Sequence, residues 1–280
     1  MQIISDPKEL QLLMLNLKAE GKTIGFVPTM GNLHEGHLSL IELSKNKADV
    51  TVCSIFVNPL QFGQGEDLSS YPRTLKLDIQ KLSAISTDYL FTPSEKDIYP
   101  LGKEIHTHVI ANRLTEYLCG KSRPTHFQGV TTVVNILFNI VQPNYAFFGK
   151  KDYQQYKIIS NMVNDLRIPV EVIGGEIVRE SNGLAMSSRN GYLTDKEKQE
   201  AAILRQVILQ AAEQIKQNQR SFDDIIQQSI NTLSHSGFKV DYFEIIRQSD
   251  LHPADRDDSD LLIAVAGWMG QPRLIDNIEI

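Results

Sequence analysis

Two histidines three residues apart, His34 and His37, stand in the string Pro28-Thr-Met-Gly-Asn-Leu-His-Glu-Gly-His37. The string follows an apolar run, 23–27, and precedes an amphipathic segment, 38–47, so the pattern predicts strand, tight turn, helix. A helix N-terminus carries unpaired N–H groups and about half a positive charge, and anions collect there. Imidazoles beside it add donors aimed at phosphate. That suits an enzyme that stabilises charge developing at the α-phosphate of a nucleoside triphosphate. Gly31 lets the backbone approach a ligand closely, and Gly36 lets the helix start tightly against its neighbours. The spacing does not match the zinc motif His-Glu-x-x-His, because the second histidine falls at i+3, and no cysteine or histidine cluster offers a third ligand.

Four further segments end an expected strand or occupy a long loop, where functional residues concentrate. In Phe56-Val-Asn-Pro-Leu-Gln-Phe62, Asn58 and Gln61 are neutral amides at a strand mouth, able to bind hydroxyl, carboxylate and amine groups. Asp78 lies one helical turn beyond Tyr71-Pro-Arg-Thr74 and is the candidate Mg²⁺ ligand, since Mg²⁺ needs only one or two carboxylates plus phosphates. In Phe147-Phe-Gly-Lys-Lys-Asp-Tyr-Gln-Gln155, Gly149 marks a second strand-to-helix turn. There Lys151 brings charge to a phosphate, Asp152 can accept from a ribose or base, and Lys150 faces solvent. In Arg179-Glu-Ser-Asn-Gly-Leu-Ala-Met-Ser-Ser-Arg-Asn190, Ser187, Ser188 and Arg189 form a compact set of hydroxyl and guanidinium donors. The Asn-Gly and Arg-Asn-Gly steps around them imply a mobile loop that closes over a triphosphate and excludes water.

The elements that must carry these residues alternate. Segments 23–27, 50–57, 89–91, 108–110, 145–148 and 170–173 read as strands, several of them short, unalternating and bounded by Pro, Asn or Gly, as buried parallel strands are. Helical patterns cover 38–47, 75–82, 129–141 and 153–166, the third apolar nearly all round and so expected to be buried. The fold class is therefore α/β, a doubly wound, Rossmann-like parallel sheet with its crevice at the carboxyl ends of the strands, and a first domain at 1–176. From 177 to 280 the pattern changes. A capping box at Thr194-Asp-Lys-Glu197 opens one helix and Ser221-Phe-Asp-Asp224 a second, followed by strands near 239–246, 261–269 and 273–280, which describes a small α+β lid.

With 280 residues and 41% hydrophobic content the chain can bury a sizeable core, and a net charge of −6 argues against a nucleic-acid-binding surface. The two cysteines, Cys53 and Cys119, fit a reducing cytoplasm. Met1-Gln-Ile-Ile-Ser-Asp lacks the basic-then-apolar pattern of a secretory signal, and no apolar run approaches the roughly 18 residues of a membrane span.

His34-Glu-Gly-His37 resembles the His-x-Gly-His signature of class I adenylate-forming nucleotidyltransferases, and Met186-Ser-Ser-Arg189 resembles their second, phosphate-binding signature. Together with Phe56–Phe62, Tyr71–Thr74, Arg123-Pro-Thr-His-Phe127, Phe148–Gln155 and Arg273-Leu-Ile-Asp-Asn277, taken in order, the chain resembles the pantothenate synthetase family. The resemblance implies ATP-dependent condensation of D-pantoate with β-alanine, giving AMP and pyrophosphate through a pantoyl adenylate. It implies an ATP site at Met30, Gly31, Asn32, Leu33, His34, Glu35, Gly36, His37, Gly149, Lys150, Lys151, Asp152, Val178, Met186, Ser187, Ser188 and Arg189, with His34, His37 and Lys151 catalytic and His37 the proton donor. Gln61 would contact pantoate and β-alanine, and Gln155 pantoate, with Asn58, Tyr71 and Arg123 at secondary substrate positions and Asp78 at Mg²⁺. It also implies a cytoplasmic homodimer that engages neither nucleic acid nor membrane. A nucleotidyltransferase that keeps the adenylate as product shares both signatures but leaves Gln61 and Gln155 unexplained as an acid pocket. A module that binds ATP without releasing pyrophosphate is the non-enzyme alternative.

Overall fold

A computed structural model describes residues 1–63, 65–218 and 220–280. In chain order the elements are β1 (Gln2–Ile4), α1 (Pro7–Ala19), β2 (Ile24–Thr29), α2 (Glu35–Lys47), β3 (Val50–Ile55), α3 (Leu75–Ala84), β4 (Tyr89–Phe91), α4 (Glu95–Ile98), α5 (Leu118–Ser122), α6 (His126–Val141), β5 (Tyr145–Gly149), α7 (Tyr153–Asp165), β6 (Glu171–Gly175), α8 (Asp195–Ala201), α9 (Ile203–Lys216), α10 (Phe222–His235), β7 (Lys239–Arg247), β8 (Leu261–Trp268) and β9 (Arg273–Glu279). They divide into two compact units. The first is Met1–Thr115, Cys119–Lys150 and Gln155–Glu176, and the second is Glu116–Leu118, Lys151–Gln154 and Ile177–Ile280.

The first unit is built on a six-stranded sheet in the order β1-β4-β3-β2-β5-β6, with every neighbouring pair parallel. β2 pairs with β3 along its whole length and with β5 through Gly25↔Tyr145 and Phe26↔Ala146. Central strands covered on both faces need unbroken apolar runs, and Val50 to Cys53 and Ile24 to Val27 are buried without alternation. α6 is buried along most of its length, as its composition requires, and ends where Gln142 turns left-handed at φ 49°. It packs in one core with Phe26, Val52 and Phe148 from the sheet and with Leu10 and Met14 of α1.

The expected strand at 108–110 does not form. The Val109 backbone is satisfied from α6 instead: Thr131 Oγ1 donates to its carbonyl at 2.6 Å and Thr132 Oγ1 accepts its N–H at 3.0 Å. Side-chain hydroxyls thus replace a neighbouring strand. β1 and α1, absent from the sequence-based expectation, do form. Asp6 caps α1 by accepting the Lys8 and Glu9 amides, with Pro7 at its first position.

In the second unit β7, β8 and β9 form an antiparallel sheet whose inner face shares a core with α9 and α10. Both helix starts anticipated from the sequence are capped, Thr194 with Glu197 and Ser221 with the Asp224 amide. The helix after Thr194 runs only to Ala201. It then jogs at Ala202, which stays in the right-handed region at φ −59° and ψ −19°, before α9 begins.

Candidate active site

In an open parallel sheet, ligands bind at the carboxyl ends of the strands where the strand order reverses. Here that reversal lies between β2 and β5, because the chain builds outward from β2 through β3 and β4 and then returns to β2's other side. β2 ends at Thr29 and runs into Met30–His34, while β5 ends at Gly149 and runs into Lys150. The two strand-end motifs found in the sequence therefore flank one point in the first unit's sheet.

The two histidines are fixed by the helix they precede. His34 is the N-cap of α2, and its Nδ1 accepts the Gly36 amide at 3.1 Å. The Nδ1 of His37 accepts the His34 amide at 3.3 Å, closing a reciprocal box. The rings lie 4.1 Å apart, tilted by 42°. A neutral imidazole that accepts at Nδ1 carries its hydrogen on Nε2. Capping thus sets the same tautomer in both rings and makes each Nε2–H a donor.

The turn before them is held from α3. Asp78, 1% exposed, accepts the Leu33 amide at 2.8 Å through Oδ1 and the Asn32 amide at 3.0 Å through Oδ2, and Thr74 Oγ1 also donates to Oδ2 at 3.2 Å. Gly31 is left-handed at φ 80°, and a Cβ there would sit 3.0 Å from Ile55 Cγ2 and 3.2 Å from Asp78 Oδ2. The surroundings of Asp78 do not fit a resident metal. Its carboxylate is buried and already serves three protein donors. Its observed role is to shape the Asn32–Leu33 backbone.

Asn58 and Gln61 stand on a short 3₁₀ turn, Pro59–Gln61, packed on α6. The approach is close enough that a Cβ on Gly129 would lie 2.4 Å from the Leu60 carbonyl oxygen. Asn58 Nδ2 donates to Gly129 O at 3.0 Å and to Gln61 Oε1 at 3.2 Å. Gln61 Nε2 lies 2.9 Å from the Met30 sulfur, which joins this turn to the histidine-bearing one. Arg123 Nη2 donates to the Gln61 carbonyl at 3.3 Å, and His126 Nδ1 lies 2.8 Å from the same oxygen. The Arg123 guanidinium also grips Glu66 in a fork, with Nε to Oε1 at 2.7 Å and Nη2 to Oε2 at 2.6 Å. Burial pushes the Glu66 carboxyl up, but the Arg123 hydrogen bonds and charge outweigh it and hold the group below its ordinary value. Tyr71 is buried edge-on against Phe62, 5.8 Å between ring centres.

After β5, Lys150 pairs with Glu176 at 2.9 Å, so the lysine expected to face solvent has a partner at the end of β6. Gln155 is half-buried on α7, and its neighbour Gln154 is buried. In the second unit Lys151 Nζ lies 3.5 Å from Asp152, and the Lys151 carbonyl accepts from Asn277 Nδ2 at 2.9 Å. Val178 and Met186 meet there, the Met186 amide donating to the Val178 carbonyl at 3.0 Å across a turn closed by Glu180 and Leu184. Asn190 Nδ2 ties this turn to Glu180 and to the Ala185 carbonyl, and Arg179 forks onto the buried Asp276 at 2.7 and 2.9 Å. Ser187 Oγ accepts the Arg189 amide at 3.2 Å and starts a 3₁₀ turn, Ser188–Tyr192. The stretch is a hydrogen-bonded turn with Ser187, Ser188 and Arg189 along it. Arg179, Asn190 and Asp276 gave no local signal of that anchoring, since Asp276 is 97 residues from Arg179.

Residues 2–279 match the family model described as pantoate-beta-alanine ligase. A pantothenate synthetase of Hahella chejuensis is 49% identical over 273 residues, covering 98% of this chain and 96% of that protein. The crystal structure of pantothenate synthetase from Thermus thermophilus superposes with a TM-score of 0.92 at 40% identity, covering 100% of this chain and 99% of that one. A pantoate-beta-alanine ligase of Francisella tularensis, solved complexed with beta-gamma ATP and beta-alanine, gives 0.81 at 36% identity, covering 100% and 97%.

Proposed function

The chain belongs to the pantoate-beta-alanine ligase family, and we propose that its ATP-dependent condensation of D-pantoate with β-alanine runs in two steps through a pantoyl adenylate. In the first step a pantoate carboxylate oxygen attacks the α-phosphorus of ATP, and the bond to the bridging oxygen breaks to release pyrophosphate. In the second, the β-alanine amine attacks the acyl carbon, loses a proton, and AMP leaves with the electrons of the acyl–oxygen bond.

The observation that carries this reading is the histidine pair at the end of β2. Capping by His34 and His37 leaves Nε2–H donors beside a helix N-terminus, at the reversal point of the sheet. Donors already held in place need no reorganisation as negative charge grows on the phosphates, which is what an in-line displacement requires. We assign Met30 to His37, Gly149 to Asp152, Val178 and Met186 to Arg189 to ATP, with Lys151 and Arg189 as cations for phosphate and His37 as the proton donor. Gln61 and Gln155 read pantoate, and Gln61 also β-alanine. The Arg123–Glu66 fork supports the Gln61 carbonyl, so Arg123 acts by shaping the substrate loop, and Tyr71 does so through its ring contact with Phe62. Asn58 acts on Gln61 in the same way.

Mg²⁺ is proposed to arrive on the ATP phosphates, screening their charge, with no step assigned to it. In functional terms, 1–176 is the ATP- and pantoate-binding domain and 177–280 the lid. A cytoplasmic homodimer without nucleic-acid partners is the proposed setting, in keeping with the net charge of −6 and the two cysteines. No helix among the described residues is long and apolar enough to cross a membrane.

Positional isotope exchange in ATP tests the order of steps. Pantoate alone with Mg-ATP should support exchange and β-alanine alone should not. Exchange that requires β-alanine would rule out the free adenylate.

A further inference from the structure

A buried hydrogen-bond relay ends on Gln61. Its far end is Tyr99, which follows α4 and is 2% exposed. The Tyr99 hydroxyl donates to Asn58 Oδ1 at 2.7 Å across 41 residues of sequence. Asn58, 1% exposed, also takes the Leu60 amide on Oδ1 at 3.3 Å and donates from Nδ2 to Gly129 O and Gln61 Oε1. The relay has one direction. Two backbone groups fix it: the Leu60 N–H can only donate and meets Asn58 Oδ1, and the Gly129 carbonyl can only accept and meets Nδ2. The Tyr99 hydroxyl therefore donates to Oδ1, and Nδ2 is the group facing Gln61. An Nδ2 donor in turn demands an oxygen from Gln61. With Oε1 turned inward, Gln61 shows its NH₂ to the pocket, one hydrogen toward the Met30 sulfur and one for a ligand.

We propose that Tyr99 is a positioning residue for the acid substrate: acting through Asn58, it holds the Gln61 amide with its NH₂ toward a carboxylate or hydroxyl oxygen of the bound hydroxy acid. The proposal rests on the placing of Gln61 in the pantoate pocket. A glutamine free to rotate would present its carbonyl half of the time and repel a carboxylate. A buried polar relay satisfied at each member removes that alternative. Tyr99 also packs against Phe56 and His106, with ring centres 6.2 and 5.2 Å away, and Tyr99→Phe keeps those contacts while removing the hydroxyl alone.

The test is a double-mutant cycle on the full-length enzyme, with kcat/KM for pantoate and KM for ATP measured for wild type, Tyr99→Phe, Gln61→Ala and the double variant. Tyr99→Phe is expected to lower kcat/KM for pantoate about fivefold, the size of one lost buried hydrogen bond, and to leave KM for ATP within about twofold. In the Gln61→Ala background the same change should cost less than about twofold, because the amide it orients is gone. A fivefold loss in both backgrounds overturns the relay, as does a Tyr99→Phe enzyme equal to wild type, or one that loses pantoate and ATP use alike. If Gln61→Ala itself leaves pantoate use unchanged, the pocket assignment falls and the relay with it. If Gln61→Ala is selective for pantoate and Tyr99→Phe is not, the relay alone falls.

Discussion

The carboxylate of Asp78 reaches across 45 residues of sequence to accept the Leu33 amide at 2.8 Å, one residue before the first histidine of the capping pair. A buried acid on α3 thereby sets the path of the chain into α2. Asp78→Ala would leave the Asn32 and Leu33 amides without their acceptor in a dry setting, a loss of about 2–4 kcal/mol counting both. Adenylate formation should fall with it. Raising Mg²⁺ should not restore activity, and the Mg²⁺ concentration giving half-maximal rate should stay within about twofold in Asp78→Asn. A tenfold rise in that concentration would make Asp78 a metal ligand after all.

His37→Ala removes one preorganised donor and also opens the reciprocal cap on α2. The first effect is worth about 10²–10³ in the rate of adenylate formation, roughly 3–4 kcal/mol. The second costs about 1 kcal/mol of stability. Single-turnover pyrophosphate release and a thermal melt separate the two. A rate change below about threefold would make the histidine a cap only.

Hydrogen exchange should divide the turn at 178–190 into two parts. The amides of Glu180 and Met186, bonded across the turn, should be protected without nucleotide. Protection across Ser187–Arg189 should rise with a non-hydrolysable ATP analogue, and Arg189→Lys should not restore what Arg189→Ala removes, since lysine lacks the bidentate fork. Equal exchange with and without the analogue would take Ser187, Ser188 and Arg189 out of the ATP site.

The Arg123–Glu66 fork predicts an acid sensitivity. The folded carboxyl sits below its unfolded value of about 4.3, so its contribution is complete above that pH and is lost as pH falls through the folded value. Glu66→Gln should therefore lower stability by about 1 kcal/mol at pH 7, and the gap to wild type should narrow below about pH 4. Urea melts at pH 7 and pH 3.5 measure it, and a gap that widens in acid contradicts the assignment.

Cys53 offers a check on the core. Burial, together with the Asp78 charge and against a Thr29 hydrogen bond, pushes its thiol up to about 12. It should resist thiol reagents at pH 8 in the native protein and react only on unfolding.

The parallel sheet was legible because its central strands are buried on both faces and so spell continuous apolar runs, and α2 because glycine and histidine punctuate its start. The edge was harder to read. β1 has three residues and an exposed Ile3, and only its pairing with β4 makes it a strand. Residues 108–110 look like β1 in composition, yet two threonines of α6 took the place of a strand partner. Within the site, residues next to a strand end could be found from local pattern. Tyr99 and Gly129 could not, because each matters through a partner 41 or more residues away.

β2 and β5 meet in a fixed register, Gly25 opposite Tyr145 and Phe26 opposite Ala146, three residues or so before each chain leaves the sheet for its turn. That pairing acts as a ruler. Sliding one strand by a single residue would shift the histidine turn against the glycine turn by about 3.3 Å, the length of a whole hydrogen bond. The spacing of the two turns proposed for ATP is thus written in backbone pairing at the middle of the sheet. Insertions at loop tips leave it alone, while a one-residue deletion inside β2 would shift the histidine turn against the glycine turn without removing any residue proposed to contact ATP.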